Sequence, residues 1–349
     1  MINNKERINE IDLYRFIAAI SVMIFHYAFR GSAYDDLSVM SYPLLIPVAK
    51  YGYLGVQFFF MISGFVIFMT ATNATLKSFI RSRAIRLYPA FWACCTLTFI
   101  TILIAEDPRF TATLRQYLSN MTMFSGFMHQ PSIDGAYWSI FTEIRFYLLI
   151  SVILILKKMK QAEYFMLAWL LYTAKTFIVG TDKLSTPLIS EYAVYFIAGA
   201  SLYLVRDSGL TKLRIANLSG SFSLCLYQAL HQAEIFEPTF KSELNEVVIS
   251  IIVICFFIAM GLSATRKAGL IGKIDWSTIG AMTYPLYLLH QFIGYIIFNK
   301  LYSKIDTHLL FFGTVALMLC ASYLINKFIE VPLSAKLREV TFRANPRTI

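Results

Sequence analysis

Charge is what this chain has least of: 15% of its 349 residues are Asp, Glu, Lys or Arg, with 21 acidic against 31 basic. Soluble domains carry about 25% charged residues, so an ordinary water-facing surface is excluded. Sixteen glycines and ten prolines are too few for a collagenous or low-complexity chain. The five cysteines, Cys94, Cys95, Cys225, Cys255 and Cys320, all fall in apolar runs without CxxC spacing. That excludes a disulfide framework or a zinc ribbon and leaves them as small buried hydrophobes. Neither an internal repeat nor an appended soluble domain is visible. The start, MINNKERINEID, lacks a small-residue cleavage site and reads as a cytoplasmic lead into a retained anchor.

What is abundant is apolar surface. With 57% hydrophobic residues and a mean hydropathy of +0.60, the chain reads as an all-α polytopic membrane protein. Stretches close to the length needed for about 30 Å of hydrocarbon fall at 8–29, 52–71, 86–105, 138–156, 162–180, 190–205, 214–231, 246–263, 279–299 and 308–328. The net charge of +10 would suit nucleic acid, but its distribution follows the membrane. With the N-terminus inside, inner segments hold 19 Lys and Arg and outer ones 8, the cytoplasmic bias expected of short loops. About ten transmembrane helices with N- and C-termini cytoplasmic follow. The long outer connection, 106–137, contains LRQYLSNMTMFSGFM, amphipathic enough to lie at the interface or re-enter and roof a cavity. One membrane domain is expected over 1–335 and a short basic cytoplasmic tail over 336–349.

Ionisable groups inside such spans cost about 2.5–3.5 kcal/mol each and tend to line a polar path. Arg15 and His26 stand eleven residues apart in the first span, which on a helix is three turns plus about 20° and about 16 Å of rise. They share a face, Arg15 toward the cytoplasm and His26 toward the outside; the plainer alternative is snorkelling to the two interfaces. Asp12 is placed to pair with Arg15. Glu143, in the fourth span, lies at a depth similar to His26, with Ser139 at i−4; a carboxylate there would orient the imidazole as a general base, unless it pairs with Arg145 or with another helix. Arg81, Arg83 and Arg86 crowd the inner mouth of the third span, and Arg83 with Arg86 at i, i+3 suits a phosphate as well as plain topology. In the ninth span Thr283, Tyr287, His290 and Gly294 form one stripe, where His290 is either a cavity residue or packed against a tyrosine. Glu330 and Pro332 read as an end-cap.

DLYRFIAAISVMIFHY, GVQFFFMISGF, RSRAIRLYPAFW, YWSIFTEIRFY, YPLYLLHQ and Glu330-x-Pro332, in that order, resemble the acyltransferase 3 family of membrane O-acyltransferases, in the standalone type without a fused esterase-like domain. The resemblance runs from about 8 to 335. It implies ten core helices in a bacterial plasma membrane. The activity implied is transfer of an acyl group, usually acetyl, from cytoplasmic acyl-CoA to a hydroxyl of an extracytoplasmic glycan, such as an O-antigen, or a lipid-linked glycan. The residue matching His26 would be catalytic, that matching Arg15 essential, and the pair matching Arg83 and Arg86 functional, with acyl-CoA as a donor substrate and neither a metal nor a bound cofactor. On this view His26, oriented by Glu143, takes the acceptor proton, while Trp138, Ser139 or a tyrosine such as Tyr287 steadies the oxyanion, with His290 in support. A nucleophilic His26 is the mechanistic alternative. A transporter or flippase with Arg, His and Glu along its path is the functional one.

Overall fold

The structure is a computed structural model that describes residues 7–343. Among these residues it is all helical, with no strand. The helices are α1 (Asn9–Phe25), α2 (Leu54–Ala71), α3 (Leu76–Ala105), α4 (Leu114–Met121), α5 (Trp138–Ile155), α6 (Ala162–Val179), α7 (Ala193–Ser208), α8 (Lys212–Phe240), α9 (Glu246–Ala264), α10 (Ser277–Leu301), α11 (Thr307–Ile325) and α12 (Val331–Arg343). Every stretch expected to span the membrane coincides with a helix. Among the described residues, six helical segments, 9–33, 46–71, 76–105, 135–155, 246–264 and 307–341, are long and apolar enough to cross one. Helix α7, with 16 residues, is shorter than the span length of about 20, and every residue from Ala193 to Leu204 is buried in protein.

Local chemistry places the helix ends. Asn245 accepts from Val247 and Val248 N–H at the start of α9, and Asp306 from His308 and Leu309 N–H at the start of α11, each satisfying donors that have no helical partner. A capping box joins Thr113 and Gln116 at the start of α4, which makes the first eight residues of the amphipathic stretch in the long connection helical. The cysteine expectation needs correcting: Cys94, Cys95 and Cys225 are buried, but Cys255 and Cys320 are exposed, because each falls on the outer face of a helix whose inner face carries the packing.

The chain divides into two compact units. The first comprises residues up to Val22, Tyr51–Leu76 and Thr142–Gly280; the second comprises Met23–Lys50, Lys77–Phe141 and residues from Ala281 onward. In the first, α2 and α7 pack backbone to backbone through glycine. A Cβ at Gly199 would lie 1.8 Å from the Met61 carbonyl, and one at Gly64 would lie 2.2 Å from that of Phe196. Such close approach is how apolar helices associate without a hydrophobic gradient to drive them. Gly199→Ala is therefore expected to lower the thermal midpoint of the detergent-solubilised protein by several degrees, an overpacking cost of about 1–3 kcal/mol. Gly261→Ala, which meets no atom within 4 Å, should leave the midpoint unchanged in the same unfolding scan.

Candidate active site

The second unit builds a buried polar centre where the end of α1 meets α10. Helix α1 stops being α-helical at His26, and residues His26–Arg30 form a π-turn, a widening of the helix often met at functional positions. His26 and His290 are 7% and 1% exposed, and His26 Nδ1 lies 3.2 Å from His290 Nε2. His290 Nδ1 is 2.8 Å from the Tyr287 carbonyl. A carbonyl only accepts, so Nδ1 of His290 carries the hydrogen, and in the neutral ring Nε2 offers a lone pair. Nδ1 of His26 is then the donor in the pair, which assigns the basic lone pair of His26 to Nε2.

Several contacts hold this pair in place. Tyr27, fully buried, donates 2.6 Å to the His290 carbonyl, and its ring fills the space a side chain at Gly294 would need, a Cβ there falling 2.3 Å from Tyr27 Oη. Ser139 Oγ is hydrogen-bonded to Tyr287 Oη at 2.7 Å and to the Ala136 carbonyl at 3.1 Å, so two hydroxyls stand one helical turn from His290. Asp134 accepts from Ala136 N–H and, on α10, from Phe292 N–H, both at 2.9 Å. The segment 134–139 therefore grips α10 on either side of His290. Asp35 accepts from Arg30 Nε at 3.1 Å, from Tyr295 Oη at 3.3 Å and weakly from Gln291 Nε2 at 3.5 Å.

Sequence reading missed Asp134 and Tyr27. Asp134 carries a legible signal as a helix-start residue, since one oxygen caps Gly135–Tyr137, but its second oxygen reaches 158 positions along the chain. Burial pushes the Asp134 carboxyl up to about 7, against the lowering effect of its two backbone N–H donors. In the unfolded chain it titrates near 3.8, so between about 4 and 7 the folded protein holds the extra proton. Its contribution is then fully present below 4 and falls as pH rises, by at most about 1.4 kcal/mol per pH unit. Asp134→Asn should flatten that part of the pH dependence of the thermal midpoint while leaving the profile above pH 7.5 parallel to wild type.

The remaining predicted residues separate. Trp138, 39% exposed, opens α5 and lines a cavity beside Ser139. Thr283 is buried on α10 with Tyr287 and His290, as the stripe required. Arg86 is ion-paired with Glu330, whose side chain is 5% exposed and also accepts 3.0 Å from Asn326. The Arg86 guanidinium sits over the Tyr284 ring, 5.8 Å from its centre. Arg83 behaves differently: its Nε is buried with no hydrogen-bond partner among the described residues. Arg81 donates to the Thr341 carbonyl, and Ser334 to that of Ile85, which lays α12 along the arginines. The end-cap expectation for Glu330 and Pro332 needs correcting, because the helix runs on through the π-turn Asn326–Glu330 into α12 and Glu330 instead holds Arg86; the two arginines therefore have different surroundings.

Arg15, Asp12 and Glu143 belong to the first unit. Arg15 is half-buried. Asp12 accepts from Arg7, with the closer contact at 2.6 Å. Glu143 accepts from Tyr147 Oη at 2.6 Å and from Ser63 Oγ at 3.2 Å. Arg145 instead donates to Thr142 Oγ1 and the Thr186 carbonyl. Within the second unit, His26 is in hydrogen-bond contact with a second imidazole, that of His290.

A buried imidazole with an assigned basic nitrogen, next to paired hydroxyls, can move a proton from an attacking hydroxyl and steady a developing oxyanion. No curated protein and no solved structure matches the chain significantly. Residues 8–327, nearly the whole chain, match the acyltransferase domain profile, and the chain belongs to the acyltransferase 3 family of membrane enzymes.

Proposed function

We propose that this protein is an O-acetyltransferase that carries acetyl from cytoplasmic acetyl-CoA to a hydroxyl of an extracytoplasmic glycan, such as an O-antigen, exopolysaccharide or lipid-linked precursor. The observation that carries the reading is the His26–His290 pair, 3.2 Å apart, in a chain of this family. In the proposed step His26 Nε2 takes the proton of the acceptor hydroxyl as its oxygen attacks the thioester carbonyl. The tetrahedral oxyanion forms beside the Ser139 and Tyr287 hydroxyls, the carbon–sulfur bond breaks, and the departing thiolate of coenzyme A receives the proton from the His26 imidazolium. The proton count closes without any further reactant.

Arg83 is the proposed contact for the donor's phosphates, supported by its unspent buried donor. Arg15 and Glu143 are assigned to the reaction on sequence grounds alone. Ten spans in a bacterial inner membrane, both ends cytoplasmic and 106–137 outside, are proposed from the Lys and Arg distribution. Inner-membrane vesicles given acetyl-CoA labelled in the acetyl group should yield glycan carrying alkali-labile label when they contain this protein and none when they do not. Glycan that is carried across the vesicle membrane but never labelled would overturn the proposal in favour of transport.

A further inference from the structure

A cavity of about 300 Å³ lies in the second unit between α3, the connection 120–132 and the start of α5. Its walls are Phe91, Tyr137, Trp138 and Phe141. Gly126 is packed so closely on the Phe141 ring that a Cβ there would come within 2.9 Å of it, which fixes that wall. Asn120 also borders the space, but its amide is fully used, donating to the Gln116 and Pro131 carbonyls and accepting from Ile133 N–H. Besides the Tyr137 hydroxyl, which is buried without a hydrogen-bond partner among the described residues, three other polar side chains are not used. The hydroxyls of Ser125 and Ser132 and the amide of Gln130 line the cavity and have no side-chain hydrogen bond among the described residues. None of the lining residues is charged.

Polar groups that a protein leaves unspent beside a cavity are inexpensive only if something else satisfies them. Flat aromatic walls with a few hydroxyl and amide groups, at the lower end of ligand-pocket volumes, fit a small ring with apolar C–H faces and a polar rim. The mouth is formed by exposed Gly126, Pro131 and Trp138, and Ser139, next to Trp138, is bonded to Tyr287 one turn from His290. The contrast within the molecule is informative. A cavity of about 340 Å³ in the first unit is walled by residues such as Phe68, Phe146 and Trp169 and offers no comparable set of unspent polar groups.

We infer that the cavity under residues 120–132 is the acceptor subsite and takes one neutral sugar residue, with uronic and other acidic sugars disfavoured by the uncharged lining. This rests on the acyltransferase reading and adds to it the class of acceptor. Holding an acidic sugar here would bury a carboxylate without a cation to match it. Selectivity for neutral sugars is the consequence.

The test uses the full chain in lipid nanodiscs and saturation-transfer NMR with methyl glycosides of glucose, galactose and rhamnose as probes, alongside glucuronate and pantetheine. At least one neutral glycoside should receive saturation and glucuronate should not. Gln130→Leu with Ser132→Ala should weaken that binding about tenfold, from two lost hydrogen bonds, at an unchanged thermal midpoint. Each single substitution should produce a smaller loss in the same direction. Saturation of no neutral glycoside, equal saturation of glucuronate, displacement of the glycoside by pantetheine, or unaltered binding in both single variants would overturn the inference. Acetyl-CoA turnover in the same nanodiscs reports separately on the acyltransferase reading, so a loss of sugar binding with intact donor use counts against the subsite alone.

Discussion

Replacing His26 with alanine is expected to lower acetyl transfer about 10³-fold, in the middle of the range that a positioned general base contributes. The protein level and thermal midpoint should change little, because Tyr27 holds α10 independently. His26→Gln sharpens the test. A glutamine amide can still donate to His290 Nε2 but has no nitrogen that can accept a proton, so the account expects it to be as inactive as alanine. The measurement is the initial rate of label transfer from acetyl-CoA, at matched protein, in vesicles containing each variant. Activity within tenfold of wild type in His26→Gln would mean that the ring is structural. Accumulation of labelled protein in wild type without acceptor would assign His26 the nucleophilic role instead.

The second large effect separates two arginines that the sequence makes look equivalent. Arg86→Gln leaves the Glu330 carboxylate, 5% exposed, without its cation, and breaking a buried pair by removing one partner costs about 3–5 kcal/mol. A large loss of folded protein is expected, visible as a fall in monodisperse yield and thermal midpoint. The double replacement Arg86→Gln with Glu330→Gln should recover much of it, because no buried charge is then left unmatched. Arg83→Gln should leave yield and midpoint near wild type and raise the donor KM about tenfold, the scale of one charge-assisted hydrogen bond to phosphate. A normal midpoint in Arg86→Gln, or an unaltered donor KM in Arg83→Gln, would show the corresponding assignment to be wrong.

These two cases also show how much of the molecule can be read from its residues in order. The helices were legible because apolar runs of spanning length are bounded by residues that satisfy helix ends locally, such as Asn245 and Asp306. His26 was legible because an imidazole in an apolar helix is costly wherever it points. Its partner was not: His290 is 264 positions away, and the stripe that carries it fits a packed face equally well. The depth of Glu143 in the bilayer is readable from span order, whereas rotation about its helix axis, which brings it the Tyr147 and Ser63 hydroxyls, is not. The same blindness joined Arg86 to Arg83. Their i, i+3 spacing is local, but the carboxylate that claims Arg86 arrives from 244 positions away. Asp134 escaped for a related reason, since a loop aspartate before glycine explains itself as a cap and gives no sign that its other oxygen grips α10.

The claim on which the account depends is that His290 holds His26 as a base, with the lone pair at Nε2. The most direct measurement is the pH dependence of kcat for wild type, His290→Asn and His290→Phe, with donor KM and thermal midpoint recorded alongside. His290→Phe should lose about 10²-fold in kcat with donor KM unchanged and a displaced acidic limb, and His290→Asn, whose amide can still accept from His26 Nδ1, should recover part of the loss. Identical profiles for wild type and His290→Phe would contradict it.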